Sequence, residues 1–165
     1  ALGHRVFATA GSDEKCRACE QLGAERGINY KTEDFAAVVR ELTGGKGVDV
    51  ILDMVAGDYI PREIDCLADD GRIALIALLG GAKAEIDLGQ VLRRRLHISG
   101  STLRPRPVAF KAAIARNLRE RVWPLFGQGK LNPVIYRSFP LEQAAEAHAL
   151  MESSTHVGKI VLEVA

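Results

Sequence analysis

Several things are scarce in this chain, and each scarcity excludes something. Cysteine occurs three times in 165 residues, as Cys16, Cys19 and Cys66. So low and odd a number argues against a disulfide framework and fits a reducing cytoplasm. Cys16 and Cys19 form a C-x-x-C, but no second Cys or His pair follows at a matching spacing. They read as helix residues and not as a zinc knuckle. Charge of one sign is lacking too: the formal net charge is +1. Bulk electrostatics therefore give no argument for nucleic acid or an anionic membrane as a partner. No run reaches the ~18 apolar residues a membrane span needs, and the N-terminus lacks the charged-then-apolar layout of a signal peptide. Internal repeats, low-complexity stretches and linkers are missing as well.

What is present is a globular composition, 47% hydrophobic and 26% charged, in a length that suits one domain. Strand-like and helix-like segments alternate. Residues 5–10 read as a strand, 13–23 as a helix closed by Gly23, Arg26 to Tyr30 as a short strand and 33–43 as an amphipathic helix. Val48 to Asp53 is rich in β-branched residues and reads as a buried strand. A helix over 58–68, a strand over Arg72 to Leu79, a short helix near 88–94 and a strand over Leu96 to Ser101 continue the pattern. A long helix follows from Pro107 to Phe126, with Phe110, Ile114, Leu118, Val122 and Phe126 on one face. Val134 to Phe139 is extended, Leu141 to Met151 helical and Val157 to Val164 a last strand. Such alternation predicts an α/β fold, a Rossmann-like doubly wound parallel sheet with helices on both faces.

In open α/β sheets ligands bind outside the carboxyl ends of the strands. Those ends here are Gly11-Ser12, Asn29-Tyr30, Asp53 to Gly57, Leu78 to Gly81 and Ser101 to Leu103. Glycine recurs among them, and glycine lets backbone approach a flat ligand. The first of these ends discriminates best between cofactors. An NAD-specific site carries Asp or Glu there to bind both ribose hydroxyls; this chain has Gly11 and Ser12. A 2′-phosphate needs hydroxyl donors and a cation, which Ser12 and Lys15 supply. The same Ser12 equally suits a plain helix N-cap. Asp13 and Glu14 must then point away or cap the helix. Tyr30 at the next strand end suits either a place against the adenine ribose or a half-buried strand position.

Gly44-Gly45-Lys46-Gly47 is no P-loop, since no Ser or Thr follows the Lys and a strand rather than a helix comes next. Arg93-Arg94-Arg95 reads as a solvated helix C-terminus. The histidines are scattered, and neither a Ser-His-Asp set nor a carboxylate pair emerges by spacing. That silence suits hydride transfer, in which the cofactor carries the chemistry and the protein orients it.

Together these residues give the chain a family look. It resembles the cofactor domain and C-terminal end of a zinc-independent medium-chain dehydrogenase/reductase of the NADPH:quinone oxidoreductase type. The carriers are T-A-G-S-x-x-K at 9–15, L-G-A at 22–24 with I-N-Y at 28–30, and T-x-G-K-G-V-D-V-I-L-D at 43–53. Further on come C-L-A-x-D-G-R at 66–72, G-S-T-L-R at 100–104, and A-H-x-L-M-E with G-K-I-V-L across 147–162. The resemblance implies NADP (as NADPH) for cofactor, with Lys15 on the 2′-phosphate helped by Ser12 and Tyr30. It implies Val55, Ala56 and Gly57 on the adenosine and ribose side. Leu79, Gly80, Gly81, Ser101, Thr102 and Leu103 would flank the nicotinamide, and Lys159 would reach the cofactor. It assigns no catalytic side chain and no metal. The reaction it implies is hydride transfer to a quinone or activated alkene, in a homodimer joined through the edge strand Leu96 to Ser101. A non-catalytic nucleotide-binding module and an enoyl reductase acting on acyl thioesters are the other readings left open.

The family's first strand, its glycine-rich phosphate loop and its N-terminal substrate domain are expected to precede Ala1. In the strand order 3-2-1-4-5-6 the first strand is central. Without it, two half-sheets are expected to face a gap of one strand, ~10 Å across.

Overall fold

Apolar residues at strand spacing and at helical spacing alternate, and the computed structural model follows that alternation over the residues it describes, 1–164. Strand β1 (Phe7–Ala10) leads into helix α1 (Asp13–Gln21), then β2 (Arg26–Asn29) and α2 (Phe35–Leu42). Next come β3 (Val48–Asp53), α3 (Tyr59–Cys66), β4 (Leu67–Leu75), α4 (Leu88–Arg93) and β5 (His97–Gly100). Helices α5 (Val108–Arg121) and α6 (Trp123–Gly127) follow. Strand β6 (Ile135–Pro140), a 3₁₀ turn, α7 (Ala144–Glu152) and β7 (Lys159–Glu163) complete the order.

All pairings are parallel, and they form three ladders: β1 with β2, then β3-β4-β5, then β6 with β7. The expected half-sheets are thus the first two ladders. What joins them is side-chain packing. Ile28 of β2 is fully buried and shares a cluster with Phe35, Val39 and Cys66, against which Phe7, Val48, Ile51 and Tyr59 pack. A second cluster of Ile60, Ile64, Leu67, Ile73 and Leu96 fixes α3 and α4 on the middle ladder. Each fully buried Ile or Leu contributes roughly 1.5–3 kcal/mol relative to exposure. On the other face, Val50, Leu52 and Met54 stay exposed.

Three boundaries differ from the sequence expectation. The helix expected to 68 stops at Cys66, because Leu67 turns extended (ψ 150°) and pairs with Val48. The strand expected to Leu79 leaves the ladder after Leu75: the Ile76 amide bonds to the Asp53 carbonyl, and the next residues bond to the turn after β3 instead. The single helix expected over 107–126 is two helices, broken at Val122–Trp123, where Pro124 has no N–H to carry the first helix through. The apolar face expected there is half-open, with Phe110, Leu118 and Phe126 all exposed. Among the described residues no helix is long and apolar enough to cross a membrane.

Candidate functional site

Strand β1 ends at Ala10, Gly11 and Ser12 follow, and α1 begins at Asp13. Ser12 takes an extended conformation and caps the helix, its Oγ accepting from the Lys15 amide at 3.3 Å. Both sequence readings of Ser12 are compatible here, since a hydroxyl that accepts from one amide still has its own hydrogen to donate. Asp13 does turn away: its Oδ1 accepts from the Asn29 side-chain amide at 2.6 Å. The Lys15 ammonium donates to the backbone carbonyl of Ser154 at 2.5 Å. The same turn therefore meets the loop between α7 and β7, a contact that sequence spacing gave no means of finding.

Tyr30 follows β2 and its amide bonds to the Ala10 carbonyl. Its ring crosses back over Gly11, so that a Cβ on Gly11 would stand 2.7 Å from the phenol oxygen. The Lys31 side chain approaches the same point, its Cε 3.4 Å from that Cβ position. Lys31 was not among the sequence candidates. It is exposed, and it brings a second cation to the Gly11–Ser12 turn. Tyr30 also meets Tyr59 edge-on at 6.3 Å between ring centroids. Tyr59 in turn stacks on Phe35 at 5.5 Å, and Arg62 lies over Phe35 at 4.1 Å while bonding Asp34 at 3.1 Å. Hydrogen bonding from Arg62 holds the Asp34 carboxyl below its ordinary value. This aromatic and cationic group ties the carboxyl end of the first ladder to that of the second.

Between the β3 and β4 ends the backbone is tightly laced. Leu79 and Gly80 donate to the carbonyls of Met54 (3.1 Å) and Val55 (2.7 Å). Ala56 and Gly57 both adopt left-handed conformations, with φ of 58° and 55°. A Cβ on Gly57 would lie 2.5 Å from the Gly80 carbonyl oxygen. The turn is held from below by Asp53, buried at 2% exposure, whose Oδ1 accepts from the Val55 amide (2.6 Å) and Oδ2 from the Ala56 amide (2.8 Å). Beside this turn is an apolar cavity of about 190 Å³, lined by Ala56, Gly57, Ile60, Leu78, Ala84 and Ile98 among others. The Ser101 amide bonds to the Leu75 carbonyl, so residues 101–103 leave the ladder next to the same end. Leu79 and Leu103 are exposed there.

The structure thus gathers Ser12, Lys15 and Tyr30 at one point, and Val55 to Gly57 with Leu79 and Gly80 at another. Lys159 opens β7, its amide on the Val134 carbonyl, and it is Ser154 that connects this third ladder to Lys15. A polar cavity of about 250 Å³ between α1 and β2 is crossed by ion pairs of Arg26 with Glu20 (3.5 Å) and Glu33 (2.6 Å). It serves to hold α1 on the strand.

Spacing showed no carboxylate pair, yet Glu63 on α3 faces Asp53 across the turn, and both are buried. Burial, then the Asp53 charge, pushes the Glu63 carboxyl up to about 7. Its Oε2 has no hydrogen-bond partner. The thiols of Cys16 and Cys66 are both raised, chiefly by burial, Cys66 to about 12. They are accordingly unreactive at neutral pH. Among the described residues no group of three or more His, Cys, Asp or Glu side chains could hold a metal ion.

The residues that could hold a dinucleotide lie at two turns: the Ser12 hydroxyl with Lys31 and Tyr30 beside Gly11, and the Ala56-Gly57 turn packed on the Gly80 carbonyl. Known proteins agree on the fold. The zinc-binding dehydrogenase family profile matches residues 22–162. A 2-haloacrylate reductase from a Burkholderia species is 37% identical over 165 residues, covering 98% of this chain and 48% of that protein. A crystal structure of an NAD-dependent alcohol dehydrogenase superposes with a TM-score of 0.76 at 38% identity, over 99% of this chain and 45% of that one. The Escherichia coli quinone oxidoreductase complexed with NADPH superposes with a TM-score of 0.79 at 27% identity, over 98% and 50%. The chain spans about half the length of the reductase it matches.

Proposed function

Because the chain belongs to the zinc-binding dehydrogenase family, we propose that it is the cofactor-binding part of an NADPH-dependent reductase that passes hydride to a quinone or activated alkene, without zinc. One observation carries the cofactor choice. The end of β1 has no carboxylate for the ribose diol, and instead has the Ser12 hydroxyl, with Lys31 beside Gly11 and the Lys15 ammonium one turn on, at the Ser154 carbonyl. That arrangement suits a phosphate on the 2′ oxygen, where a carboxylate would repel it. Two of the three relatives named above are a 2-haloacrylate reductase and a quinone oxidoreductase, which supports an electron-poor alkene or quinone as acceptor.

NADPH, when bound, supplies a hydride from C4 of its nicotinamide. This chain's residues bind and orient. Lys15, Ser12 and Lys31 take the 2′-phosphate, and Tyr30 covers the adenine ribose. Val55, Ala56 and Gly57 take the adenosine side at the end of β3. Leu79 to Gly81 and Ser101 to Leu103 take the nicotinamide side, with the adjoining apolar cavity excluding water. Lys159 reaches the cofactor from β7, whose preceding loop meets Lys15 through Ser154. In a full-length protein an N-terminal domain would form the substrate cleft, and the first strand of the cofactor domain would carry the phosphate loop.

Fluorescence titration with NADPH and NADH tests the cofactor choice. A preference for NADPH of tenfold or more is expected, and equal affinity overturns it. Assaying the full-length protein with a quinone, a 2-haloacrylate and an acyl-thioester enone separates the acceptors. Turnover of the thioester alone would favour the enoyl reductase, and NADPH binding with no turnover of any acceptor would favour a non-catalytic module.

A further inference from the structure

The turn from Met54 to Gly57 is strained and needs a clamp. Ala56 has a side chain yet sits at φ 58°, a conformation that costs about 1–3 kcal/mol outside glycine. Asp53 holds it there with both carboxylate oxygens. Glu63, 6% exposed and with its Oε2 unpartnered, is within hydrogen-bonding reach of Asp53. Two buried carboxylates side by side would be costly. A carboxylic acid against a carboxylate is different, because the acid's O–H fills a free lone pair of its neighbour.

We propose that Glu63 is a positioning residue for this turn: its carboxyl carries a proton, donates it as a hydrogen bond to the Asp53 carboxylate, and so keeps Asp53 aimed at the Val55 and Ala56 amides. The inference rests on the cofactor-domain reading for its consequence, since the clamped turn is the one assigned to adenosine. The surroundings of Glu63 agree. Asp53 is the charged group that bears on it; its own helix adds Tyr59 and Cys66, both raised chiefly by burial, together with the charged Arg62 and Asp65. From α2, Arg40 pairs with Asp65 and Asp34 with Arg62. A carboxyl titrating at about 7 then makes the clamp sensitive to pH. Below neutrality the acid–carboxylate bond holds. Above it two negative charges face each other and the turn loosens.

Hydrogen exchange at Val55 and Ala56, expressed as protection factors from pH 5.5 to 8.5, reads this directly and needs no cofactor. In the full chain, protection should fall about tenfold through neutrality, the equivalent of one hydrogen bond. Glu63→Gln keeps a donor and cannot ionise, so its protection should stay flat and high. Glu63→Leu, checked for folding by circular dichroism, should show low protection at every pH. The dissociation constant for NADPH should follow the same pattern, weakening about tenfold by pH 8.5 in the wild type relative to Glu63→Gln. Flat wild-type protection, or the same fall in Glu63→Gln, overturns the proposal. Unchanged protection in Glu63→Leu overturns it too. A normal switch at the amides with no NADPH binding at any pH supports the Glu63 clamp and rejects the cofactor reading alone.

Discussion

The ammonium of Lys15 bonds the carbonyl of Ser154 at 2.5 Å, across 139 positions of sequence. Ser154 itself is left-handed (φ 55°), so its carbonyl is presented by a turn that few side chains favour. The contact pre-orients the lysine beside the Ser12 cap. Replacing Lys15 with Ala should remove a charged hydrogen bond to the 2′-phosphate worth roughly 1.5–3 kcal/mol. NADPH affinity should then fall on the order of 10–150-fold while NADH affinity changes little. Equal losses for both nucleotides would remove the 2′-phosphate assignment.

Lys31 should behave as a weaker partner. It is exposed, so an ion pair there contributes about 0.2–1 kcal/mol. Lys31→Ala should lower NADPH affinity by roughly 1.5- to 5-fold, and raising the salt concentration should shrink that difference. An effect as large as that of Lys15 would mean the roles are reversed.

Gly57→Ala puts a Cβ 2.5 Å from the Gly80 carbonyl at a positive φ. Destabilisation of about 1–3 kcal/mol is expected by chemical denaturation, with loss of NADPH binding. Ala56→Gly, one residue earlier, relieves a left-handed alanine and should leave stability within about 1 kcal/mol of wild type. If both variants melt alike, the strain argument is wrong.

The pH dependence has a definite sign. Folding raises the Glu63 carboxyl from 4.5 to about 7. Between those values the folded chain holds a proton that the unfolded chain has released. Stability contributed by that proton is complete below pH ~4.5 and declines as pH rises to ~7, by at most about 1.4 kcal/mol per unit, then levels off. Denaturant midpoints from pH 4.5 to 8 should show this slope in the wild type and a shallower one in Glu63→Gln. Matching slopes would show that Glu63 ionises as it does in water.

Strand β5 is an outer strand whose four residues are all exposed. An edge of that kind pairs readily with another. Sedimentation of the full-length protein should find a dimer, and Ile98→Lys on that strand should weaken it. A wild-type monomer at micromolar concentration would dispose of the homodimer.

The alternation of strands and helices, the two half-sheets and the turns at the strand ends were all legible in the sequence, because side-chain period and glycine placement are local signals. The boundary at Cys66–Leu67 was not: helix and strand abut with no turn residue between them, and only pairing with Val48 decides where one stops. The break before Pro124 was written in the sequence and was overridden by the apolar repeat from Phe110 to Phe126. That Ser12, Lys15 and Tyr30 follow strand ends could be read from the sequence. The contacts of Lys31 with Gly11 and of Ser154 with Lys15, and the closeness of Glu63 to Asp53, could not, since each arises through a chain reversal. Glu63 stands ten positions beyond Asp53, and no periodicity links a strand's last residue to the middle of the next helix.

The close approach of Gly57 to the Gly80 carbonyl, with Val55 and Gly80 bonded beside it, has a consequence for anyone recombining relatives. The two turns form one interlocked part. A loop exchanged at 54–57 alone would meet a stranger at 78–81, so chimaeras should move both segments together, and pairs of relatives should vary at these positions in step.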